Sequence, residues 1–536
     1  MGSSLYIYGQ LLSRVIGYSC VWSDKFVFNM EQIYKTFEDM YTGAFMNKII
    51  TIIEKLVLLF WAIFIFIVVV ANMKSSYSWL GYDIGKQNKY ICIILPLLCV
   101  CIYLLHQIPQ RKWLNILSGL LILLCQIIIV NSLYTQVGWD SGAIINAALK
   151  INLENSNAYL SVYPNNLFLV EIYQFIFFVT SADIESAYLI ASFINIILVD
   201  IAGLMMVEIC KMILDRKRAI LSLFFYFLLI AASPWLIIPY SDIFILPFTV
   251  GTIYLFLFLE NNIEKGKKKI NWIILGGLAG VSYSIKPTSI VIFISVVIMI
   301  LITMVREKKS IYLKKIGFMI LGMITILFVI RMGSRLNHTY TLDSNKQMTL
   351  THYAMLALND NMGVYTEEDY AISQSASSVE EREQVNIAEI QKRIKEKGVK
   401  GYFANLWKRC RQILGEGNFN WGGEAGMNFI NHDLSKHVYL RNIYYKNGCN
   451  YGFYFYGSQA IWFVVLLFNV INVLRIVRGN FNEKEALLYL PVIGVILFNM
   501  LFESRSRYLI AFVPFMIIGA TGILDFKIIR KLLKSR

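Results

Sequence analysis

Asp140 stands in Gly138-Trp139-Asp140-Ser141-Gly142, directly after an apolar run long enough to cross a bilayer. A carboxylate at the mouth of such a run costs a few kcal/mol unless compensated, which makes it a functional candidate. The plainer alternative is a solvated turn or cap aspartate beside two glycines. Other chemistry-bearing stretches also stand at the ends of apolar runs: Tyr163-Pro164-Asn165-Asn166, Tyr240-Ser241-Asp242, Lys286-Pro287 and Glu503-Ser504-Arg505-Ser506-Arg507-Tyr508. Together they supply a base for a hydroxyl nucleophile and cations for a phosphate, Lys as a point charge and Arg as a planar fork. Each has a structural alternative. Lys286, Arg505 and Arg507 could snorkel to headgroups, Tyr163 to Asn166 is a turn signal, and Asp242 could cap a helix.

The elements that must position these residues are membrane spans. The chain has 536 residues, 57% hydrophobic and only 16% charged, with a mean hydropathy of +0.57. Soluble domains carry about 45–50% apolar residues, so the composition excludes a soluble protein. The formal charge of +15 falls in Lys and Arg clusters beside apolar runs, which the positive-inside rule explains without nucleic acid. Five of the eight cysteines, Cys92, Cys99, Cys101, Cys125 and Cys210, lie in or beside spans as small core residues. Cys410 and Cys449 fall in a polar segment and could pair. His432, Asp433 and His437 lack a convincing ligand spacing, so neither a metal nor a cofactor is expected.

Apolar length and basic flanks divide the chain. Spans fall at roughly 49–72, 90–106, 114–134, 185–210, 219–238 and 243–260. The block 271–305 is too long for one helix at 1.5 Å per residue and breaks at Ser284-Ile285-Lys286-Pro287-Thr288. Spans at roughly 316–332, 458–476, 486–502 and 507–525 bring the total to about twelve. Between 135 and 183, the apolar stretch Leu167–Phe178 is too short to cross and reads as an interfacial helix. Residues 1–45 form a cytoplasmic segment, with Met46 a natural start; 46–332 and 458–536 are transmembrane regions. Segment 333–457 is a polar extracytoplasmic domain with helical stretches at Glu380–Lys397 and Tyr402–Leu414. It is either a lid or acceptor-binding element, or a stabilising cap.

Basic clusters after alternate spans place both termini in the cytoplasm and every candidate stretch outside; Lys74, Lys86 and Lys89 are the exceptions. Acids, bases and aromatics gathered from separate loops at the lipid–water boundary suit transfer of a group from a lipid phosphate. Asp140 would take the proton of an acceptor hydroxyl attacking an anomeric carbon. Lys and Arg would stabilise the charge gained by the leaving phosphate.

The order of these features carries a resemblance: a first outer loop opened by Asp140, an interfacial helix, Ser233-Pro234, Tyr240-Ser241-Asp242, Lys286-Pro287, then Arg505-Ser506-Arg507-Tyr508-Leu509 with Pro514. It resembles the GT-C glycosyltransferases, and among them the protein O-mannosyltransferase and aminoarabinose-transferase-like group, glycosyltransferase family 39. Trp139-Asp140 with Tyr163-Pro164-Asn165-Asn166, and Met348-Thr349-Leu350-Thr351-His352-Tyr353, are similar to Gram-positive bacterial members. The resemblance implies an all-α, GT-C-like polytopic bundle that moves a sugar, with inversion, from a polyprenyl-phosphate-linked donor in the bilayer. The acceptor would be an extracytoplasmic glycan, lipid or protein of the cell envelope.

By the same resemblance Asp140 is the catalytic acid of the first loop. Trp139, Tyr163, Asn165, Asn166, Tyr240, Asp242, Lys286, Glu503, Arg505, Arg507 and Tyr508 line the substrates. Relatives often carry two adjacent acids where this chain has Asp140-Ser141, and two spans here precede the span that usually comes first. The rival readings are a transporter or flippase, which predicts internal repeats and mid-span charges such as Asp200 and Glu208, and a glycan polymerase or ligase using diphosphate-linked chains.

Overall fold

The computed structural model describes residues 43–75, 83–109, 111–425, 438–479 and 481–524, and every regular element among them is helical. Three long helices come first, α1 (Gly43–Lys74), α2 (Ile84–Gln107) and α3 (Lys112–Leu133). The region after α3 then folds as α4 (Trp139–Ala148), α5 (Leu153–Val162) and α6 (Leu167–Thr180), with a bend of 108° between α5 and the segment from Pro164. α6 buries Leu169, Val170, Tyr173 and Phe177 while Phe175, Phe178 and Val179 stay exposed. α6 therefore packs by one face over its 14 residues, and with α5 it forms a sharply bent pair.

α7 (Ile184–Ile213) starts at a capping box, with Asp183 accepting from the Ser186 backbone at 2.8 Å. α8 (Arg216–Tyr226) runs on through a π turn to Ala231 and ends before Ser233-Pro234. The expected span 219–238 is therefore broken: Pro234 has no N–H to donate and its ring crowds the turn before it. Next come α9 (Ser241–Asn261), α10 (Lys269–Ile285), α11 (Pro287–Glu307) and α12 (Ile311–Leu336). The break expected near residue 286 is present, with Lys286 extended at φ −149°, as the residue before a proline prefers.

The polar segment holds α13 (Leu350–Leu356), α14 (Glu367–Gln374), α15 (Val379–Gly415) and α16 (Val438–Tyr444). Gly398, at φ 57°, kinks α15 between the two expected helical stretches. α17 (Tyr451–Arg478), α18 (Glu483–Leu501) and α19 (Ser506–Thr521) complete the bundle. Nine helices among the described residues are long and apolar enough to cross a membrane, or ten if the bent pair is one span. The other three expected spans, α8, α10 and α19, are helical but shorter, and α19 begins as a 3-10 turn from Ser506 to Phe512.

Charge pairing sorts the helix ends onto two faces. On one, Arg306 at the end of α11 pairs with Glu54 of α1 and Glu483 of α18, and Lys315 of α12 meets Glu260 of α9 at 2.7 Å. On the other, buried arginines of the 333–457 segment reach the C-terminal carbonyls of three helices. Arg411 takes Ala71 and Ser75 of α1, and Arg441 takes Ser132 of α3 at 3.0 Å. Arg409 takes Asn499, Met500 and Phe502 of α18. Last-turn carbonyls have no helical donor and the helix dipole favours a cation there, so these contacts hold the segment as a cap.

Gly363 shows how closely it fits. At φ +80° it lies in the left-handed region, and a Cβ there would meet Arg409 Nε at 2.6 Å. Gly363→Ala is expected to cost about 1–3 kcal/mol, read as a lower unfolding midpoint in detergent.

Two cysteine expectations are corrected. Cys410 is buried and Cys449 exposed, both as free thiols, so they do not pair. Cys92 and Cys99 are exposed on α2 rather than in the core, since a span facing lipid need not bury its apolar residues. The stretch with His432, Asp433 and His437, and nearly all of segment 1–45, lie outside the described residues.

Candidate active site

α3 delivers the chain to Gly138, and Trp139 then takes φ +49°, a left-handed conformation that is costly for a bulky side chain. The turn is tight: a Cβ on Gly142 would meet the Val137 carbonyl at 2.2 Å. It is pinned from α7 by the Tyr188 hydroxyl on Val137 O at 3.0 Å, and from Pro239, whose carbonyl accepts from Ser141 Oγ at 3.3 Å. These anchors place Asp140 in the first turn of α4, half-buried.

Both Asp140 oxygens accept from phenols. Tyr159 Oη donates to Oδ1 at 3.1 Å and Tyr240 Oη donates to Oδ2 at 3.2 Å. Asn166 Nδ2 donates in turn to Tyr159 Oη at 2.6 Å, and Asn165 Nδ2 reaches Asn166 Oδ1 at 3.3 Å. The Tyr163-Pro164-Asn165-Asn166 stretch is thus a 3-10 turn, as its composition signals, and it also orients a partner of Asp140. The Tyr163 ring lies 5.4 Å from that of Tyr159.

Aromatic rings join Asp140 to the cations. Trp139 and Tyr240 meet edge to face at 5.0 Å, and the Arg507 guanidinium lies 4.8 Å from the Trp139 ring and 4.9 Å from the Tyr240 ring. Lys286 Nζ sits 4.1 Å from the Tyr508 ring and 5.8 Å from that of Tyr240. Both cations converge on one acid: Asp242 pairs through Oδ1 with Lys286 and through Oδ2 with Arg507 Nη1 at 2.8 Å. Lys286, Asp242 and Arg507 are all buried, so the snorkelling alternative fails for both bases. The cap alternative fails for Asp242, because Tyr240 occupies the N-cap position of the turn it enters.

Arg505 points elsewhere. Its Nε meets Glu503 Oε1 at 3.1 Å, and Tyr508 Oη donates to Glu503 Oε2 at 3.0 Å. Between the arginines, Ser506 Oγ donates to Glu416 of the capping segment, and Ser504 N donates to the Gly363 carbonyl at 3.0 Å. The capping segment thereby fixes the Glu503–Tyr508 stretch from behind.

Electrostatics separates Asp140 from Glu503. Burial pushes the Asp140 carboxyl above the usual aspartate range, opposed by the Arg507 charge and the Tyr159 hydrogen bond. Burial also raises Glu503, yet the Arg505 and Arg507 charges outweigh it and leave that carboxyl below the usual range. Burial lowers the neighbouring His352 imidazole to about 4, which keeps it neutral.

Asp140 and all eleven substrate-lining candidates belong to this connected set, with Arg505 and Asn165 at its edge. Tyr159 was not singled out, although it holds Asp140 directly. Its only sequence signal is its position four residues before Tyr163, the C-cap residue of α5, whose ring it meets. Trp139 Nε1 is buried without a hydrogen-bond partner among the described residues. No group of three or more His, Cys, Asp or Glu that could hold a metal occurs among the described residues.

Compared with solved structures, the chain is similar to archaeal oligosaccharyltransferase AglB from Archaeoglobus fulgidus in complex with an inhibitory peptide and a dolichol-phosphate. That match has 13% identity and a TM-score of 0.40, covering 79% of this chain and 52% of that one. The apo form of the Archaeoglobus fulgidus oligosaccharyltransferase matches at 14% identity and a TM-score of 0.41, covering 79% and 53%. The chain thus spans about half the length of these proteins. A search of curated proteins finds no match. The family model described as "Conserved hypothetical integral membrane protein" matches residues 44–526, and the chain belongs to that family.

Proposed function

We propose that the chain is a membrane glycosyltransferase that moves a sugar from a polyprenyl-phosphate carrier to an extracytoplasmic acceptor, with inversion. One observation carries the reading. A carboxylate held by two phenols stands one aromatic layer from two cations that share a single acid. Lys286 and Arg507 converge at one place, which suits a phosphate, while phenols rather than a direct ion pair hold Asp140. The acceptor hydroxyl oxygen forms the new bond to the anomeric carbon and passes its proton to Asp140. The bond from that carbon to the phosphate oxygen breaks, and its electron pair leaves with the phosphate. Lys286 and Arg507 stabilise that charge, and Trp139, Tyr240 and Tyr508 shape the cavity between the two ends. Arg505 and Glu503 set the rear wall, with Tyr163, Asn165 and Asn166 toward the acceptor. A donor with a single phosphate follows the resemblance to family 39.

The test reconstitutes the full chain in liposomes with a polyprenyl-phosphate sugar labelled in the sugar, plus a membrane extract as acceptor. Label should move covalently to the acceptor and leave polyprenyl phosphate. Label that crosses the bilayer without covalent change would replace this reading with a transporter. Transfer from diphosphate-linked chains alone would replace it with a polymerase or ligase.

The pH dependence has a fixed sign. The base acts when deprotonated, and burial raises Asp140. The rate should therefore fall with acidification at a pH above the ordinary aspartate value of about 3.9. Initial rates from pH 4 to 8, roughly the span around a raised carboxyl, check this.

A further inference from the structure

A cavity of about 510 Å³ lies away from Asp140. Its walls include Lys150 just past α4, Glu171, Gln174, Phe175 and Phe178 of α6, and Asn337 just past α12. That volume is within the range of small-molecule sites, roughly 300–1,000 Å³. Eight residues of α4 separate Asp140 from Ala148 at the cavity edge, or about 12 Å along the helix, so an occupant's polar group would not reach the reacting atoms.

The polar lining has an unusual charge arrangement. Glu171 accepts only from neutral donors, Ser334 Oγ at 2.7 Å and Asn337 Nδ2 at 3.3 Å. Gln174 turns its own carbonyl oxygen toward Asn337 Nδ2, also at 3.3 Å. Lys150 lines the same cavity, exposed and forming no ion pair with Glu171. An acid and a base that share a cavity without meeting are complementary to a ligand carrying both charges. The carboxylate still has lone pairs to offer, and Gln174 adds an amide oxygen, so the cationic end should bring N–H donors. The anionic end belongs with Lys150. Beside this polar wall, Phe175, Phe178 and Val179 are exposed on the outside of a membrane-protein bundle, where apolar side chains can meet acyl chains.

We propose that this cavity binds the headgroup of a zwitterionic phospholipid with a primary ammonium, its phosphate on Lys150 and its ammonium on Glu171 and Gln174. The acyl chains run over Phe175 and Phe178. The site would tie α6 to lipid and so hold the outer-loop helices at a set depth.

Binding of radiolabelled phosphatidylethanolamine to the purified full chain in micelles tests this without reference to transfer. Unlabelled phosphatidylethanolamine should compete best, with phosphatidylcholine, which has no N–H donor, and phosphatidylglycerol, which has no cation, clearly weaker. Glu171→Gln should weaken phosphatidylethanolamine about tenfold or more and leave phosphatidylglycerol unchanged, while Lys150→Met should weaken both. Equal competition by all three lipids, or an unchanged affinity in Glu171→Gln, would overturn the proposal. Soluble O-phosphoethanolamine competing as well as the lipid would overturn the role of the chains. Unfolding midpoints accompany each variant, and if Glu171→Gln does not fold, the exposed Lys150→Met decides with the competition series.

Discussion

Asp140→Asn is expected to lower transfer by about 10²- to 10⁴-fold, the usual contribution of a positioned general base, while folding and insertion remain intact. Asparagine keeps the shape and one acceptor oxygen for Tyr159 or Tyr240, which both donate to the aspartate. What it loses is the ability to take the acceptor's proton. The loss should appear in kcat, with donor affinity unchanged, because in the proposed site the phosphate would rest on Lys286 and Arg507 across the Trp139 and Tyr240 rings. Tyr159→Phe is the companion variant. It removes one hydroxyl that holds the carboxylate and should shift the acid limb of the pH profile upward, since that hydrogen bond lowers the Asp140 carboxyl. Transfer by Asp140→Asn at the wild-type rate would remove Asp140 from the mechanism.

Asp242→Asn should be the most damaging substitution for stability. It removes the acid on which two buried cations, Lys286 and Arg507, converge, and Lys286 loses its ion-pair partner. Removing one partner of a buried ion pair costs about 3–5 kcal/mol. The double variant Asp242→Asn with Lys286→Met should recover part of that loss, because one stranded charge goes with the lysine. Thermal unfolding of the two single variants and the double variant in one detergent gives the cycle. Additive losses would mean that the three side chains do not act as a unit.

How far the sequence reached differs between the fold and the site. Most spans were legible because bilayer thickness sets the length of an apolar run, though α8, α10 and α19 came out shorter than that length suggested. The kink at Gly398 lay between two helical stretches separable by pattern, and Lys286-Pro287 marked a break through proline chemistry. The π turn after Tyr226 and the 3-10 start of α19 were not legible. An apolar run looks the same whichever hydrogen-bond spacing its backbone takes. In the site, residue types could be gathered but their pairing could not. Asp242 read equally as a cap, and only the approach of Lys286 and Arg507 from two other elements shows it as their shared acid. Arg409, Arg411 and Arg441 were not singled out in the sequence, because nothing local marks the helix ends they reach.

Those three arginines also set an order of assembly. α1 and α3 are synthesised early, but their terminal carbonyls are closed by Arg411 and Arg441, which leave the ribosome more than 300 residues later. Until then one end of each helix must rely on water or a chaperone for hydrogen bonds. That face of the bundle can therefore mature only after the ninth expected span has inserted and the following segment has folded back. A nascent chain arrested before residue 409 should hold a full set of early spans whose ends stay open to protease.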